Sequence, residues 1–468
     1  MRVLLVKPGV ASDSIQPILG LAYLSAQLLD ENEVTILDGI KENLSLKQFQ
    51  KSFISASPDI LGIQAFHTDI KTVESYLSIG KKIAPRTITV IGGPYPSLMG
   101  ESTFKGIPSA DFAFQGEAET GFARLLTELK AQGSPLTFHL SPQTLADIPG
   151  LIYRAEDGIR ANPPVFTQDL DSLGLPAWNL LQPQSYPPAP HGGFFRQFPV
   201  APMNISRGCP CQCSFCSANK ISGKNIRYRG IAGVMEEIKL LYQHYQIREI
   251  HIVDDNFTWD RGYVLRFCEA LQKLNYSLNW TCPNGVRTDT LDQKLLEAMK
   301  KAGCYSLSIG IESGSDPVLN YLNKNFSTEL IQEKVELIKK SGMEAVGFFL
   351  LGLPPEKEED IKKTIHFSLN LGLRRAQYIL FRPFPGSEIY NSLNSSQKEN
   401  LSKSFGATYA DPVFTPEGIT VKKLKNLQRW AFLSFYLRPK SFFHLATDIS
   451  SLKHLYFILK RIKRWLIR

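Results

Sequence analysis

The stretch Arg207-Gly-Cys209-Pro-Cys211-Gln-Cys213-Ser-Phe215-Cys216 decides how this chain is interpreted, because it holds four of the seven cysteines within eight residues. The other three, Cys268, Cys282 and Cys304, are scattered singly. An odd number of cysteines argues against a disulfide framework and for a reducing compartment. A cluster this dense is typical of a metal or redox site. Cys268 lies in an apolar helical pattern and is predicted to be a core thiol.

The spacing of Cys209, Cys213 and Cys216 is C-x3-C-x2-C. Three thiolates from one loop can hold three irons of a [4Fe–4S] cube and leave the fourth iron open. A structural zinc site takes four protein ligands, and no second CxxC or CxxH pair lies nearby to complete one. Cys211 could compete as a ligand, but it is more simply a spare residue of the loop.

Residues 1–130 alternate short apolar runs with amphipathic helical patterns. This alternation predicts a parallel sheet covered by helices on both faces. The N-terminus itself reads as a buried strand, with no signal-peptide pattern. Ligands of such sheets bind at the carboxyl ends of the strands. Those ends carry polar residues, prolines and glycines: Pro8 and Gly9, 64–68, 92–95, and 115–117. The glycines could serve a ligand that approaches the backbone, or they could serve only tight turns.

Residues 162–203 contain nine prolines and predict a linker. From 203 to 390, six apolar runs are followed almost every time by a helical pattern, which predicts a partial or full βα barrel. We therefore expect an α/β protein in four parts: a doubly wound domain, a proline-rich linker, a barrel, and a helical C-terminal region. Their predicted bounds are 1–140, 141–203, 204–395 and 396–468.

The three-cysteine spacing, with Phe215 just before the last cysteine, resembles that of the radical S-adenosylmethionine (SAM) enzymes. The resemblance implies that Cys209, Cys213 and Cys216 hold a [4Fe–4S] cluster whose open iron chelates SAM. It also implies that an electron from the cluster cleaves SAM to a 5′-deoxyadenosyl radical. This radical abstracts hydrogen from an unactivated carbon, which no amino-acid side chain can do alone.

Segments at successive strand ends match the same family, including Asp254-Asp255-Asn256 and Gly310-Ile-Glu312-Ser313-Gly314. Acidic and amide groups suit the SAM ammonium and an arginine suits its carboxylate, although each segment alone could be an ordinary strand-to-helix turn or a helix N-cap. The resemblance implies a SAM site formed by Phe215, Asp254, Asp255, Asn256, Arg287, Glu312, Ser313, Gly352 and Pro383.

The first domain resembles the cobalamin-binding domain fused to many radical SAM enzymes, and the whole resemblance covers about residues 1–400. The D-x-H-x-x-G signature that supplies a histidine to cobalt is absent. Cobalamin without a protein nitrogen ligand favours holding and releasing a methyl group. The implied cobalamin-binding residues lie at the strand ends: Pro8, Gln64, His67, Thr68, Gly92, Gly93, Pro94, Tyr95, Gln115, Gly116 and Glu117.

The basic character of the chain belongs to its C-terminal tail. The formal net charge is +9, while residues 421–468 hold twelve Lys or Arg and one acidic residue, so that the first 420 residues together carry −2. Leu452, Leu455, Leu459, Ile462 and Leu466 form one apolar stripe on the last helix, and Trp465 suits an interface. The tail predicts a helix lying on an anionic membrane surface. The alternative is a helix packed on the barrel with a solvated basic face.

These features together predict a cobalamin-dependent radical SAM enzyme, most simply a C-methyltransferase acting on a hydrophobic small molecule. An oxidative cyclase of tetrapyrrole-type substrates is the second prediction, and a cluster-and-cobalamin sensor the third. No cysteine precedes Cys209, which excludes the N-terminal auxiliary cluster of methylthiotransferases. We expect a flavodoxin- or ferredoxin-type electron donor, no nucleic-acid partner, and a cytoplasmic location that is peripheral to the inner face of the membrane.

Overall fold

The computed structural model describes residues 1–10, 12, 14–131, 140–404 and 411–467, the last four of them as backbone only. The chain divides into two units. The first consists of Met1–Tyr186 with Gly208–Pro210 and Ser217–Tyr228. The second consists of Pro187–Arg207, Cys211–Cys216 and Arg229–Arg468.

A seven-stranded sheet forms the centre of the first unit, in the order β2-β1-β3-β4-β5-β6-β7. Strands β1 to β5 pair in parallel, so their carboxyl ends lie at one edge, and β6 and β7 extend the sheet antiparallel. The strands are β1 (Arg2–Lys7), β2 (Glu33–Asp38), β3 (Ile60–Gln64), β4 (Ile88–Gly92), β5 (Phe112–Phe114), β6 (Leu151–Ala155) and β7 (Gly158–Ala161).

The helices of this sheet are amphipathic and cover it. Phe122, Leu125 and Leu126 on one helical face pack on Leu5 and Phe114 of the strands. The alternation of strands and helices predicted over residues 1–130 is confirmed. The helices are α1 (Leu19–Ala26), α2 (Leu46–Ala56), α3 (Ile70–Ile83), α4 (Pro94–Met99), α5 (Thr103–Gly106), α6 (Glu119–Ala131), α7 (Pro142–Ala146) and α8 (Trp178–Leu181).

The hairpin β6–β7 lies inside the stretch that the sequence predicts as linker. Leu151 and Ile152 are buried and pair with Phe114 and Ala113 of β5. The hairpin is too short to show a convincing alternating pattern, and two prolines follow it at 163 and 164. Its stability comes from pairing with β5, a tertiary contact that local sequence does not reveal.

The second unit contains an open, fully parallel six-stranded sheet in the order β8-β11-β12-β13-β14-β15. This is the partial barrel that the strand–helix alternation predicts. After β8 (Val200–Met203) the chain forms β9 (Ser206–Arg207), α9 (Ala218–Ser222), β10 (Arg227–Tyr228) and α10 (Ile231–Gln243). The remaining strands are β11 (Glu249–Ile252), β12 (Asn279–Val286), β13 (Cys304–Glu312), β14 (Glu344–Leu351) and β15 (Arg375–Leu380).

The first strand of this sheet differs from its prediction, since it occupies Val200–Met203, whereas the predicted series of six apolar runs begins at residue 203. Pro202 lies within it and lacks the N–H that a central strand donates. The strand is tolerated because β8 is at the edge of the sheet and pairs only with β11. The other five predicted strands are confirmed.

Helices follow the strands and bury an aromatic core. Trp280 of β12 packs edge-on against Phe257 and Phe267. Cys268, Cys282 and Cys304 are buried, which confirms Cys268 as a core thiol. The helices are α11 (Arg261–Lys273), α12 (Gln293–Lys301), α13 (Asp316–Tyr321), α14 (Thr328–Lys340), α15 (Glu358–Asn370), α16 (Glu388–Ser392), α17 (Ser395–Lys403), α18 (Val421–Tyr436), α19 (Pro439–Thr447) and α20 (Leu452–Ile467).

The C-terminal region is helical, as predicted, and α18 packs on β15 through Leu424, Leu427 and Phe435, which are buried. The backbone of α20 continues to Ile467, whereas the side chains of Arg464, Trp465 and Leu466, and all of Arg468, lie outside the described residues. In the part of the chain that is described, no helix has the length and apolar character needed to cross a bilayer.

Candidate active site

The cysteine loop runs from the end of β9 to the start of α9 without regular structure. Cys209, Cys211 and Cys213 are partly buried, and Cys216 is exposed. The Cys216 N–H donates to the Cys213 carbonyl at 3.1 Å, while the Cys209 N–H donates to the Gly223 carbonyl at 3.1 Å. Among the described residues, no three Cys, His, Asp or Glu side chains are gathered closely enough to hold a metal ion, so the ligand assignment rests on the motif.

The loop is anchored between its last two motif cysteines. The Ser214 hydroxyl and N–H donate to the carbonyls of Tyr321 and Leu322, at 2.9 and 3.1 Å. The neighbouring Phe215 packs against a buried apolar cluster that contains Leu322 and Phe381. Phe215 therefore has a structural role in this loop: it fixes the backbone from which Cys213 and Cys216 project.

Asp254, at the end of β11, is buried and accepts three hydrogen bonds from the chain itself. Ile205 N donates at 2.8 Å, and the N–H and hydroxyl of Ser206 donate at 2.8 and 2.7 Å. Burial raises the pKa of this carboxyl to about 7, while the three hydrogen bonds act in the opposite direction. Asp254 thus holds the strand that leads into the cysteine loop, and its oxygens are already engaged.

The next two residues present other polar groups at the same strand end. Asp255 is exposed, whereas Asn256 is buried and directs its amide nitrogen toward Cys211 Sγ at 3.8 Å. Asn256 Oδ1 is buried and has no hydrogen-bond partner within the described residues. A buried acceptor without a partner is costly. Asn256 Oδ1 therefore suits a ligand that carries N–H donors, such as the SAM ammonium.

A buried ion pair that the sequence analysis missed lies beside Cys213. Lys324 Nζ is 3.1 Å from Glu312 Oε1, and both side chains are almost completely buried. Burial raises the pKa of the Cys213 thiol, and the charge of Lys324 acts in the opposite direction. A Cβ at Gly310 would lie 2.5 Å from Glu312 Oε1, so glycine makes room for the pair. Glu312 has φ of 66°, a left-handed conformation that is uncommon outside glycine and frequent at functional sites.

Arg287 is held next to this pair. Its Nη2 donates to the Lys324 carbonyl at 2.6 Å, and its Nε lies 2.7 Å from Asp289 Oδ1. The structure therefore brings Cys213, Arg287, Glu312 and Lys324 together. No sequence signal marked Lys324, because it lies in a turn between α13 and α14, away from every strand end.

The remaining predicted SAM residues lie at the ends of β13, β14 and β15. Ser313 is fully buried and shares a hydrogen bond of 3.0 Å with the Thr364 hydroxyl. Gly352 has φ of +88°, and its N–H donates to Glu356 Oε2 at 2.7 Å. Pro383 is buried just beyond β15. Ser313 is thus engaged by its own fold, while Gly352 and Pro383 contribute backbone at the carboxyl edge of the sheet.

In the first unit, the predicted cobalamin residues lie at the carboxyl ends of β1, β3, β4 and β5. A Cβ at Gly92 would meet no atom within 4 Å, so open space borders the end of β4. Gly93, next to it, has φ of +99° and is followed by α4. Such an opening fits a large ligand that approaches the backbone at this edge, where Pro8, Gln64, Thr68 and Pro94 also lie.

His67 is buried between these strand ends, with its ring edge-on to Tyr95 at 5.1 Å. Burial raises the pKa of the Tyr95 phenol to about 12. The loop that carries His67 is fixed by Asp69, which accepts from the Phe66 N–H and pairs with buried Lys7 at 2.7 Å. The sequence analysis missed this ion pair, since its members are 62 residues apart.

The three predicted residues after β5 bind other parts of their own unit. The Gln115 amide donates to the Asn162 carbonyl at 2.7 Å. Glu117 accepts from both terminal nitrogens of Arg227, at 3.0 and 2.8 Å. A Cβ at Gly116, which has φ of +71°, would lie 2.6 Å from Pro164 Cβ. These residues order the segment after the hairpin.

Two family profiles match the chain: the radical SAM superfamily over residues 203–368 and the B12-binding domain over residues 9–126. An uncharacterized methyltransferase of Pyrococcus horikoshii is 31% identical over 100% of this chain and 98% of its own length. The anaerobic magnesium-protoporphyrin IX monomethyl ester cyclase of Rubrivivax gelatinosus is 28% identical over 90% of this chain and 74% of its own.

Among solved structures, the radical SAM methyltransferase TsrM of Kitasatospora setae, with cobalamin and a [4Fe–4S] cluster bound, matches with a TM-score of 0.67 at 18% identity, over 83% of this chain and 76% of that one. The cobalamin-dependent enzyme OxsB matches with a TM-score of 0.66 at 19% identity, over 87% and 57%. These two share its fold. The protein is an enzyme that uses a [4Fe–4S] cluster, SAM and cobalamin. The chain belongs to the family of cobalamin-binding radical SAM enzymes.

Proposed function

We propose that this enzyme transfers a methyl group to an unactivated carbon of a hydrophobic small molecule. The observation that carries the proposal is the full-length similarity to a relative described as a methyltransferase, at 31% identity. The bound cofactors supply the chemistry: the cluster and SAM a 5′-deoxyadenosyl radical, and cobalamin a site that accepts and releases methyl. The protein's part is to bind and orient these groups and to exclude water.

The proposed residues of the SAM side divide into direct and supporting groups. Cys209, Cys213 and Cys216 hold the cluster. Asn256 Oδ1, buried and without a partner in the described chain, accepts from the SAM ammonium, together with exposed Asp255. Backbone at Gly352 and Pro383 borders the adenine.

Arg287 and Lys324 provide the positive charge that a SAM carboxylate needs, and Lys324 is already buried beside Cys213. Glu312 keeps Lys324 charged and in place and leaves a second carboxylate oxygen for the ribose. Asp254, Ser313 and Phe215 act indirectly, by fixing the backbone around the site.

On the cobalamin side, Gly92 provides the opening, and Gly93 and Pro94 carry the turn into α4. His67 is held edge-on against Tyr95 within the wall of the site, a packing role consistent with the missing D-x-H-x-x-G signature. Pro8, Gln64 and Thr68 line the same edge, and Gln115, Gly116 and Glu117 support it through their own contacts.

The test supplies the reconstituted enzyme with SAM that carries a ¹³C-methyl group, a low-potential reductant, and a small-molecule extract as the source of substrate. We expect a ¹³C-methylated product that accumulates in step with both 5′-deoxyadenosine and S-adenosylhomocysteine. Formation of 5′-deoxyadenosine with product but without S-adenosylhomocysteine would reject methyl transfer.

Oxidative cyclisation of a tetrapyrrole is the second candidate, favoured by the 28% identity to a magnesium-protoporphyrin ester cyclase over 90% of the chain. The same assay separates the two, since a cyclase consumes SAM only to 5′-deoxyadenosine. A sensor without turnover would form at most one molecule of 5′-deoxyadenosine or S-adenosylhomocysteine per molecule of protein.

We further propose a flavodoxin- or ferredoxin-type electron donor, because the cluster must be reduced one electron at a time. The proposed location is cytoplasmic, at the inner face of the membrane. Equal SAM cleavage with and without such a donor, in the absence of a chemical reductant, would contradict the donor assignment.

A further inference from the structure

The last described helix, α20, exposes an apolar face. Leu452, Tyr456, Leu459 and Ile462 have exposed fractions of 86%, 58%, 55% and 39%. Their spacing of three and four residues places them on one side of the helix, with half-buried Leu455 at its edge. Large apolar side chains on one face of a helix indicate a surface that another structure covers.

The opposite side of α20 is firmly docked on its own unit, so the apolar face is held outward. His454 is fully buried, with Nε2 2.8 Å from the Gly193 carbonyl and its ring 4.6 Å from that of Phe195. Arg461 donates to the Gly192 carbonyl at 3.1 Å. The face is therefore displayed by a helix that polar contacts fix in orientation.

Basic residues flank this face. Lys453 and Lys463 are exposed and Lys460 is half-buried. The single acidic residue after 420, Asp448, is engaged by Arg374 and Arg375, which neutralise it. The tail keeps a net charge of +11. A second copy of this face would bring like charges together, whereas an anionic surface complements it.

The preceding helix, α19, also exposes large apolar side chains and a lysine. Phe442 and Phe443 of α19 have exposed fractions of 63% and 66%, and Lys440 beside them is exposed. A helix with an apolar face and flanking lysines matches the chemistry of the boundary between lipid headgroups and acyl chains.

We infer that the outward face of α20 binds the surface of an anionic phospholipid bilayer. Its apolar residues enter the headgroup boundary while Lys453, Lys460 and Lys463 lie near lipid phosphates. This interaction needs no cofactor, so it is independent of the proposed methyl transfer. It would place the enzyme where hydrophobic substrates accumulate.

The test is vesicle co-sedimentation of the full-length protein, with phosphatidylcholine vesicles with and without about 30% phosphatidylglycerol. We expect binding to the anionic vesicles that weakens as salt is raised. The variant Leu459→Glu/Ile462→Glu should lose at least about tenfold in partitioning, since it puts charge where exposed apolar side chains would enter the bilayer. The matched control is Leu46→Glu/Ile54→Glu, which alters two exposed apolar residues of α2.

Equal binding to both vesicle types, or unchanged binding of the α20 variant, would overturn the inference. A dimer in solution that the α20 variant dissociates would assign the face to a second copy and would also overturn it. Salt-sensitive binding to RNA, at the expense of vesicles, would do the same. Unfolding temperature and 5′-deoxyadenosine formation should stay unchanged in both variants, which separates this test from that of the proposed function.

Discussion

Replacing Lys324 by methionine tests whether the buried ion pair beside Cys213 serves SAM binding or only the fold. Lys324 and Glu312 are both almost fully buried, at a separation of 3.1 Å. Removing one member leaves a buried charge without compensation, so Lys324→Met should lower the free energy of unfolding by about 3–5 kcal/mol. The double variant Glu312→Gln/Lys324→Met should recover most of this loss, because no uncompensated charge remains.

Stability and SAM binding separate in the double variant, in which glutamine at position 312 keeps one oxygen for the ribose. If Lys324 also binds the SAM carboxylate, its loss removes a charge-assisted hydrogen bond of about 1.5–3 kcal/mol, roughly 10- to 150-fold in SAM affinity. Stability is measured by urea unfolding of the full chain. SAM affinity is measured from the change in the electron paramagnetic resonance spectrum of the reduced cluster.

The matched control is Arg229→Met, which breaks the buried pair of Arg229 and Glu237 in the same unit. It should destabilise the chain comparably and leave SAM affinity unchanged in the folded fraction. Recovery of SAM affinity together with stability in the Glu312→Gln/Lys324→Met variant would refute the binding role of Lys324.

Three further predictions address supporting residues. Burial raises the pKa of Glu356 to about 8 in the folded chain, above its unfolded value. The contribution of Glu356 to stability is therefore fully present below about pH 4 and is lost as pH rises to about 8. Glu356→Gln should remove this contribution to the pH dependence of urea unfolding, and an unchanged slope between about pH 4 and 8 would contradict it. Asp254→Asn should lower the iron content after reconstitution, since it replaces one of the two acceptor oxygens by an amide donor that faces N–H or O–H groups. Asp255→Asn should retain iron, and equal iron in both variants would reject the role of Asp254 in ordering the loop. Gly92→Leu should abolish cobalamin uptake, followed by its visible absorbance, without lowering the unfolding temperature, because open space receives the side chain; full uptake would remove Gly92 from the site.

Much of the fold could be predicted from local pattern. Continuous apolar runs such as that of β1 mark strands buried on both faces, and their alternation with amphipathic helices indicates parallel sheets. The β6–β7 hairpin and the true position of β8 could not be predicted. Both depend on pairing with distant strands, and Pro202 is acceptable only because β8 lies at an edge.

The candidate site also contains residues that local motifs predict and residues that only tertiary contacts bring together. The positions of the cysteine loop and of the polar strand ends could be predicted because short motifs carry them, while the ligand roles of the three cysteines stay predictions. Lys324 could not, since its partner Glu312 meets it only across a turn after α13. Nor could sequence separate Asp254, whose oxygens are engaged by Ile205 and Ser206, from its neighbour Asp255, which is exposed.

The apolar stripe of α20 gives a third case. Periodicity correctly placed Leu452, Leu459 and Ile462 on one face, but it could not tell whether that face packs inward. In the structure the apolar stripe faces outward. His454 and Arg461, which are polar and lie off the stripe, contact the rest of the unit. Two backbone carbonyls of a distant loop decide the orientation, and no local pattern encodes them.

The central claim is that this chain cleaves SAM reductively at a cluster held by Cys209, Cys213 and Cys216. The most direct measurement is 5′-deoxyadenosine formed from SAM under anaerobic, reducing conditions by three reconstituted proteins: the native chain, Cys213→Ala and Cys211→Ala. We predict that the native chain and Cys211→Ala retain iron and form 5′-deoxyadenosine, whereas Cys213→Ala does neither. Absence of 5′-deoxyadenosine from the iron-loaded native chain, or its formation by Cys213→Ala, would contradict the account.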